Sequence, residues 1–144
     1  MLQLTQAQLE KIRRTAVLEY PHECCGILIG AVEHGKKIVT QLVVAHNQRQ
    51  DSLRNRYLID PAVIYRVESE LRGTGRIILG YFHSHPDAPA RPSLYDQEHA
   101  WPWYSYLIVS VIGGKTADMT VWQLESDRSR FEQEAFQVSE VEVS

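Results

Sequence analysis

Apolar and polar positions along the chain change period several times, and each change predicts an element. Over residues 5–19, Leu9, Ile12, Ala16 and Tyr20 recur at helical spacing, with Glu10, Lys11, Arg13 and Arg14 largely elsewhere. Thr5 stands where a helix cap belongs, and Gln8 three residues on completes a capping-box pattern. Pro21 ends that helix. The run "GILIGAV" (26–32) is short, apolar and bounded by glycine, which predicts a buried strand. "HGKK" (34–37) reads as a turn, and the β-branched run "IVTQLVVAHN" (38–47) as the hairpin partner. "QRQDSLRNRYLI" (48–59) is polar and irregular, a loop. Asp60 before Pro61 is a helix start, Ala62, Ile64, Val67 and Leu71 form its stripe, and Gly73 closes it.

Further along, "RIILGYFHSH" (76–85) is a strand that begins apolar and ends in histidines. A short helix is expected from Ser93, stopping before Pro102. "YSYLIVSVI" (104–112) and "ADMTVWQL" (117–124) are strands around a "GGK" turn, and the tail "EVEVS" is an edge strand or a frayed end. The order is helix, two strands, helix, strand, short helix, two strands. It predicts an α/β fold with a single mixed central sheet sandwiched by helices. There is no internal repeat and no linker, so residues 1–144 read as one domain.

Composition narrows the function classes. A 44% hydrophobic and 23% charged chain is an ordinary globular one. Its net charge of −3, with scattered basic residues, excludes an electrostatic footprint for nucleic acid. No apolar run approaches a membrane span and the N-terminus lacks a signal-peptide pattern, so a cytoplasmic protein is expected. Cys24 and Cys25 are adjacent, which suits two small buried apolar side chains rather than a disulfide.

Candidate chemistry gathers in "GYFHSHPDAPARPSLYDQEHA" (80–100), which holds three of the six histidines. His83 and His85 are two apart at the end of a strand, so both imidazoles leave one face and Ser84 leaves the other. Pro86 does not continue a central strand, which puts the histidines at its mouth. Three prolines stiffen the loop to "SLYD", where Ser93 can cap a helix and Asp96 lies in its first turn. Two histidines and a carboxylate leave one tetrahedral zinc position open, as in catalytic sites. The spacing alone allows Asp87 as a competing ligand, but its place beside the proline turn reads as a solvated bystander, like His22, His34, His46, His99 and Glu98.

The whole string "HSHPDAPARPSLYD" resembles the HxHP(x)6SxxD pattern of the JAMM (MPN+) zinc metalloprotease domains, with ten residues between His85 and Asp96. "YPHECCGILIG" is similar to that family's glutamate-bearing element, with Glu23 at the glutamate; the residues alone do not separate Glu23 from Glu19, Glu68 or Glu70. The resemblance implies an MPN fold, related to that of cytidine deaminases. It also implies zinc held by His83, His85 and Asp96, with Glu23 as general base and then proton donor to the leaving amine, and Ser93 stabilising the oxyanion.

The chain resembles the minimal prokaryotic members most. This implies a substrate of the ubiquitin-like or sulfur-carrier type, cleaved after a C-terminal Gly-Gly, with release of cysteine or of a conjugated lysine. The loop from Asn47 to Tyr57 is an expected wall for that tail. Two other readings are a non-catalytic MPN scaffold, which loses ligands that this chain keeps, and a zinc deaminase, whose H-x-E…P-C-x-x-C signature is absent.

Overall fold

The computed structural model of the chain describes residues 1–47 and 59–140. In order these form β1 (Leu2–Thr5), α1 (Gln6–Glu19), β2 (Cys25–Glu33), β3 (Lys36–Ala45), α2 (Pro61–Leu71), β4 (Ile77–Pro86), α3 (Leu94–His99), β5 (Ser105–Ile112), β6 (Lys115–Leu124), β7 (Phe131–Glu134) and β8 (Phe136–Ser139). The wall expected between Asn47 and Tyr57 lies, Asn47 apart, outside the described residues, as does the end of the acidic tail. Among the described residues no helix is long and apolar enough to cross a membrane.

Local signals set the helix starts. Thr5 accepts the Gln8 amide at 3.1 Å while the Gln8 side chain accepts the Thr5 amide at 2.9 Å, so two otherwise unpaired donors are satisfied at once. Asp60 accepts the Ala62 amide at 2.9 Å ahead of Pro61. The β2–β3 hairpin turns on His34 and Gly35, both at positive φ (51° and 76°), the pair of left-handed residues that a two-residue hairpin with the sheet's own twist requires.

All eight strands form one mixed sheet in the order β7-β6-β5-β4-β2-β3-β1-β8. Parallel pairs join β4 to β5 and β1 to β3 and β8; the other pairs are antiparallel, three of them hairpins and one, β2–β4, spanning β3 and α2. Helices cover both faces, as expected. Leu9, Ile12 and Ala16 of α1 pack on Leu28, Leu79, Phe82, Leu107 and Val109, and Val67 and Leu71 of α2 pack on Cys25, Ile27, Ile29 and Ile78 of the opposite face. Each fully buried Leu or Ile contributes about 1.5–3 kcal/mol, more than intrinsic helix propensity supplies over the same residues. Gly26 lets β2 and β4 approach, since a Cβ there would lie 2.1 Å from the Phe82 ring.

Three strands fall outside the predicted elements: β1, β7 and β8. Only Ala135 separates β7 from β8, yet they occupy opposite ends of the strand order. One stretch of chain therefore pairs with both edges, and the Leu2 amide donates to the Ala135 carbonyl at the junction. The sheet closes around α1, and Leu2 and Leu4 of β1 share a core with Val121 of β6. Buried Lys37 bridges this seam, donating to the Trp103 carbonyl and, at 3.0 Å, to Ser105 Oγ, which in turn donates to Glu134 at 2.7 Å. A further difference is that β4 runs through Pro86. Its pairing with β2 stops at Cys25–His83, while β5 alone continues to Val111, so Pro86 sits where no ladder donor is needed on the β2 side.

Candidate metal centre

Strand alternation brings His83 and His85 out of one face of β4, both buried, with their Nε2 atoms 3.1 Å apart. The His85 Nδ1 is 2.9 Å from the Pro89 carbonyl, which can only accept. Nδ1 therefore carries the proton, and in the neutral ring Nε2 presents its lone pair inward, the tautomer fixing that metal-ligating histidines share. Burial lowers the pKa of His83 below its ordinary value.

Asp96 arrives from α3. Ser93 Oγ accepts the Asp96 amide at 3.1 Å, and Asp96 Oδ2 accepts the Ser93 amide at 2.8 Å, a complete capping box. The same Oδ2 stands 3.3 Å from His83 Nε2 and 3.1 Å from His85 Nε2. Burial works against charge on this carboxyl, but the two imidazoles outweigh it and hold Asp96 well below the usual carboxylate range. One oxygen of Asp96 thus accepts the Ser93 N–H and stands beside both imidazole Nε2 atoms.

The loop that delivers α3 is held by more than its prolines. Its carbonyls at Ala88 and Ala90 accept from Ser110 of β5 and from Thr120 and Trp122 of β6. Asp87 begins the loop at positive φ (53°), and its carboxylate accepts the Tyr20 hydroxyl at 2.7 and 2.9 Å and the Gly113 amide at 2.9 Å. It ties the end of α1 to the β5–β6 turn, a role that sequence reading missed.

Glu23 lies just before β2, 1% exposed, and neither carboxylate oxygen has a hydrogen-bond partner among the described residues. A buried carboxyl without partners is costly, and its surroundings answer in two ways. Burial, with Asp96 adding repulsion, pushes its pKa up to about 9, so without a cation beside it the group is neutral at pH 7. One of its carboxylate oxygens also lies within 4.8 Å of a ring nitrogen of each of His83 and His85. The other acidic candidates, Glu19, Glu68 and Glu70, are exposed.

Two ligand triads are therefore available around the same histidines. Tetrahedral zinc ligands at roughly 2.0–2.2 Å from the ion stand about 3.3–3.6 Å apart. The His83–His85–Asp96 edges of 3.1, 3.3 and 3.1 Å fit this to within a few tenths of an ångström. Glu23 completes a wider set around the same histidines. The donor chemistry, two imidazoles and a carboxylate, suits zinc.

The remaining histidines stay apart from this cluster. His99 hydrogen-bonds the Tyr95 carbonyl at 2.9 Å and stacks on the Tyr95 ring at 4.0 Å, while His22, His34 and His46 are exposed. Cys24 and Cys25 are both buried, one against each face of the sheet, and burial pushes their thiols up to about 11 and about 12. Beside Asp96 a narrow cavity of about 140 Å³ opens between Ile64, Tyr81, Tyr95, Trp101 and Tyr106.

Comparison with known proteins agrees with this fold. Residues 5–125 match the family described as "Prokaryotic homologs of the JAB domain". A protein of Haloferax volcanii named desampylase is 34% identical over 110 residues, covering 76% of this chain and 77% of that one. A probable TtuB-protein conjugate cleaving protease of Thermus thermophilus is 29% identical over 113 residues, covering 78% and 72%. A protein of Desulfitobacterium hafniense, solved in solution, superposes with a TM-score of 0.83 at 30% identity, covering 98% of this chain and 94% of that one. The chain belongs to the family of prokaryotic homologs of the JAB domain.

Proposed function

We propose that this protein is a zinc-dependent peptidase that removes ubiquitin-like proteins from their conjugates, cutting after a C-terminal Gly-Gly. The observation that carries the reading is the convergence of His83 Nε2, His85 Nε2 and Asp96 Oδ2 within 3.1–3.3 Å, beside the buried, unpartnered carboxyl of Glu23. The names of two relatives, a desampylase and a conjugate-cleaving protease, support the substrate class.

His83, His85 and Asp96 would hold the zinc. When bound, zinc acts as a Lewis acid on the scissile carbonyl and on the attacking water. With a cation bound beside it to offset its burial, Glu23 would be ionised, and would accept a proton from that water and return it to the leaving amine. Ser93 Oγ accepts the Asp96 amide with one lone pair, and its O–H would donate to the developing oxyanion. A diglycine tail is thin enough for the narrow approach beside Asp96 and can bind through main-chain hydrogen bonds. A cytoplasmic location accords with this substrate class.

The test uses a ubiquitin-like protein ending in Gly-Gly, fused through that terminus to a reporter. The zinc-loaded enzyme cleaves after the second glycine, a chelator stops it and zinc restores it. Glu23→Gln keeps the metal and loses the cleavage. Cleavage that survives chelation, or Glu23→Gln at the wild-type rate, overturns the reading.

A further inference from the structure

Between the two histidines stands Ser84, which the metal reading leaves without a role. Its side chain leaves β4 on the face opposite the imidazoles and is fully buried. Ser84 Oγ accepts the Cys24 amide at 2.8 Å, and the Ser84 amide donates to the Cys24 carbonyl at 3.1 Å. Both backbone groups of Cys24 are thus held by one residue, 60 positions away in the chain.

This contact matters because of where it falls. Regular β2–β4 pairing begins at Cys25–His83, so Glu23 lies outside the ladder. Its side chain has no partner among the described residues to orient it. The peptide unit that joins Glu23 to Cys24 has two polar groups, and side chains hold both. Ser84 Oγ takes the Cys24 N–H, and Asn47 Nδ2 donates to the Glu23 carbonyl at 3.2 Å. A planar peptide held at both ends fixes the place of the Glu23 Cα, which lies in its plane, and so limits where the carboxyl can reach.

We propose that Ser84 is a positioning residue for catalysis, its hydroxyl holding the Glu23–Cys24 peptide so that the Glu23 carboxyl faces His83, His85 and Asp96. The triplet His83–Ser84–His85 then does two jobs through strand alternation. Its outer members face the metal on one side, and its middle member aligns the base from the other. The inference rests on Glu23 being the base, and its test separates the two claims.

Ser84→Ala and Ser84→Thr are compared with the wild type and Glu23→Gln in the full chain. A reactive group misplaced by about 1 Å costs on the order of 100-fold in rate. Ser84→Ala is therefore expected to keep one zinc per chain and a KM within about twofold, while kcat falls roughly 10- to 100-fold. In the metal-free protein, amide exchange at Cys24 speeds up in Ser84→Ala, because its acceptor is gone. Ser84→Thr, which keeps the hydroxyl, restores both kcat and protection. Should Ser84→Ala not fold, Ser84→Cys fills the same space with a poor acceptor and carries the same expectation. Wild-type kcat in Ser84→Ala alongside an inactive Glu23→Gln overturns the role of Ser84 and leaves the base in place. Loss of zinc together with kcat in Ser84→Ala also overturns it, because the serine then supports the ligands. An active Glu23→Gln refutes the base itself.

Discussion

Asp96 and Ser93 hold each other reciprocally: Oδ2 of the aspartate accepts the serine amide at 2.8 Å, and the serine hydroxyl accepts the aspartate amide at 3.1 Å. The same Oδ2 is the atom that approaches both imidazoles. A helix cap and a candidate ligand set therefore share one oxygen, and the orientation of that carboxylate follows from local capping rather than from packing of α3, which is only six residues long.

Ser93→Ala is expected to act on two observables. Losing the cap costs about 1 kcal/mol, a few degrees in Tm. Losing an oxyanion donor lowers kcat on the order of 100- to 1000-fold. Thermal melts and steady-state kinetics on one preparation separate the two. Ser93→Thr, which keeps the hydroxyl, retains both, and a kcat unchanged in Ser93→Ala removes Ser93 from the mechanism.

In the metal-free protein, Glu23 makes stability depend on pH. Its pKa rises from 4.5 to about 9 on folding. Between those values the folded chain binds a proton that the unfolded chain does not. The contribution is complete below pH 4.5 and declines as pH rises through the window to about 9. Urea unfolding in chelator at pH 5 and pH 8.5 is expected to show a steeper alkaline loss for the wild type than for Glu23→Gln. Equal losses contradict a buried neutral carboxyl.

Cys24 and Cys25 are expected to resist iodoacetamide in the native protein at pH 7–8. Both thiols are buried, with pKa values of about 11 and about 12. Mass spectrometry should find both unmodified until denaturant is added; rapid native labelling of either would mean that the β2 entry opens.

The seam of the sheet is also testable. Lys37→Met keeps the apolar stem against Trp103 but leaves Ser105 and the half-hidden Glu134 without the ammonium. Removing one partner from such a buried polar cluster is expected to cost about 3 kcal/mol in denaturant unfolding. A loss under about 0.5 kcal/mol would show that the seam is solvated.

What was legible in the chain followed from the range of the forces involved. Thr5 with Gln8, Asp60 with Pro61, and Ser93 with Asp96 act over two or three residues, so their pattern alone located three helix starts. Strand alternation likewise paired His83 with His85. β1, with four residues, and the polar β7 and β8 carry no comparable local signal, since they exist through pairing with remote edges. Glu23 could be singled out only through the family resemblance. Its position depends on Ser84 and Asn47, 60 and 24 residues from their backbone partners at Cys24 and Glu23. Asp87 was read as a solvated bystander; it is exposed, but the phenol that anchors it comes from 67 residues upstream.

The account turns on which carboxylate joins the histidines as a ligand. The most direct measurement is the zinc content of purified Asp96→Ala and Glu23→Gln by inductively coupled plasma mass spectrometry. One zinc per chain in Glu23→Gln and none in Asp96→Ala is the predicted result. Zinc retained in Asp96→Ala but lost in Glu23→Gln would make Glu23 the ligand and contradict its assignment as the base.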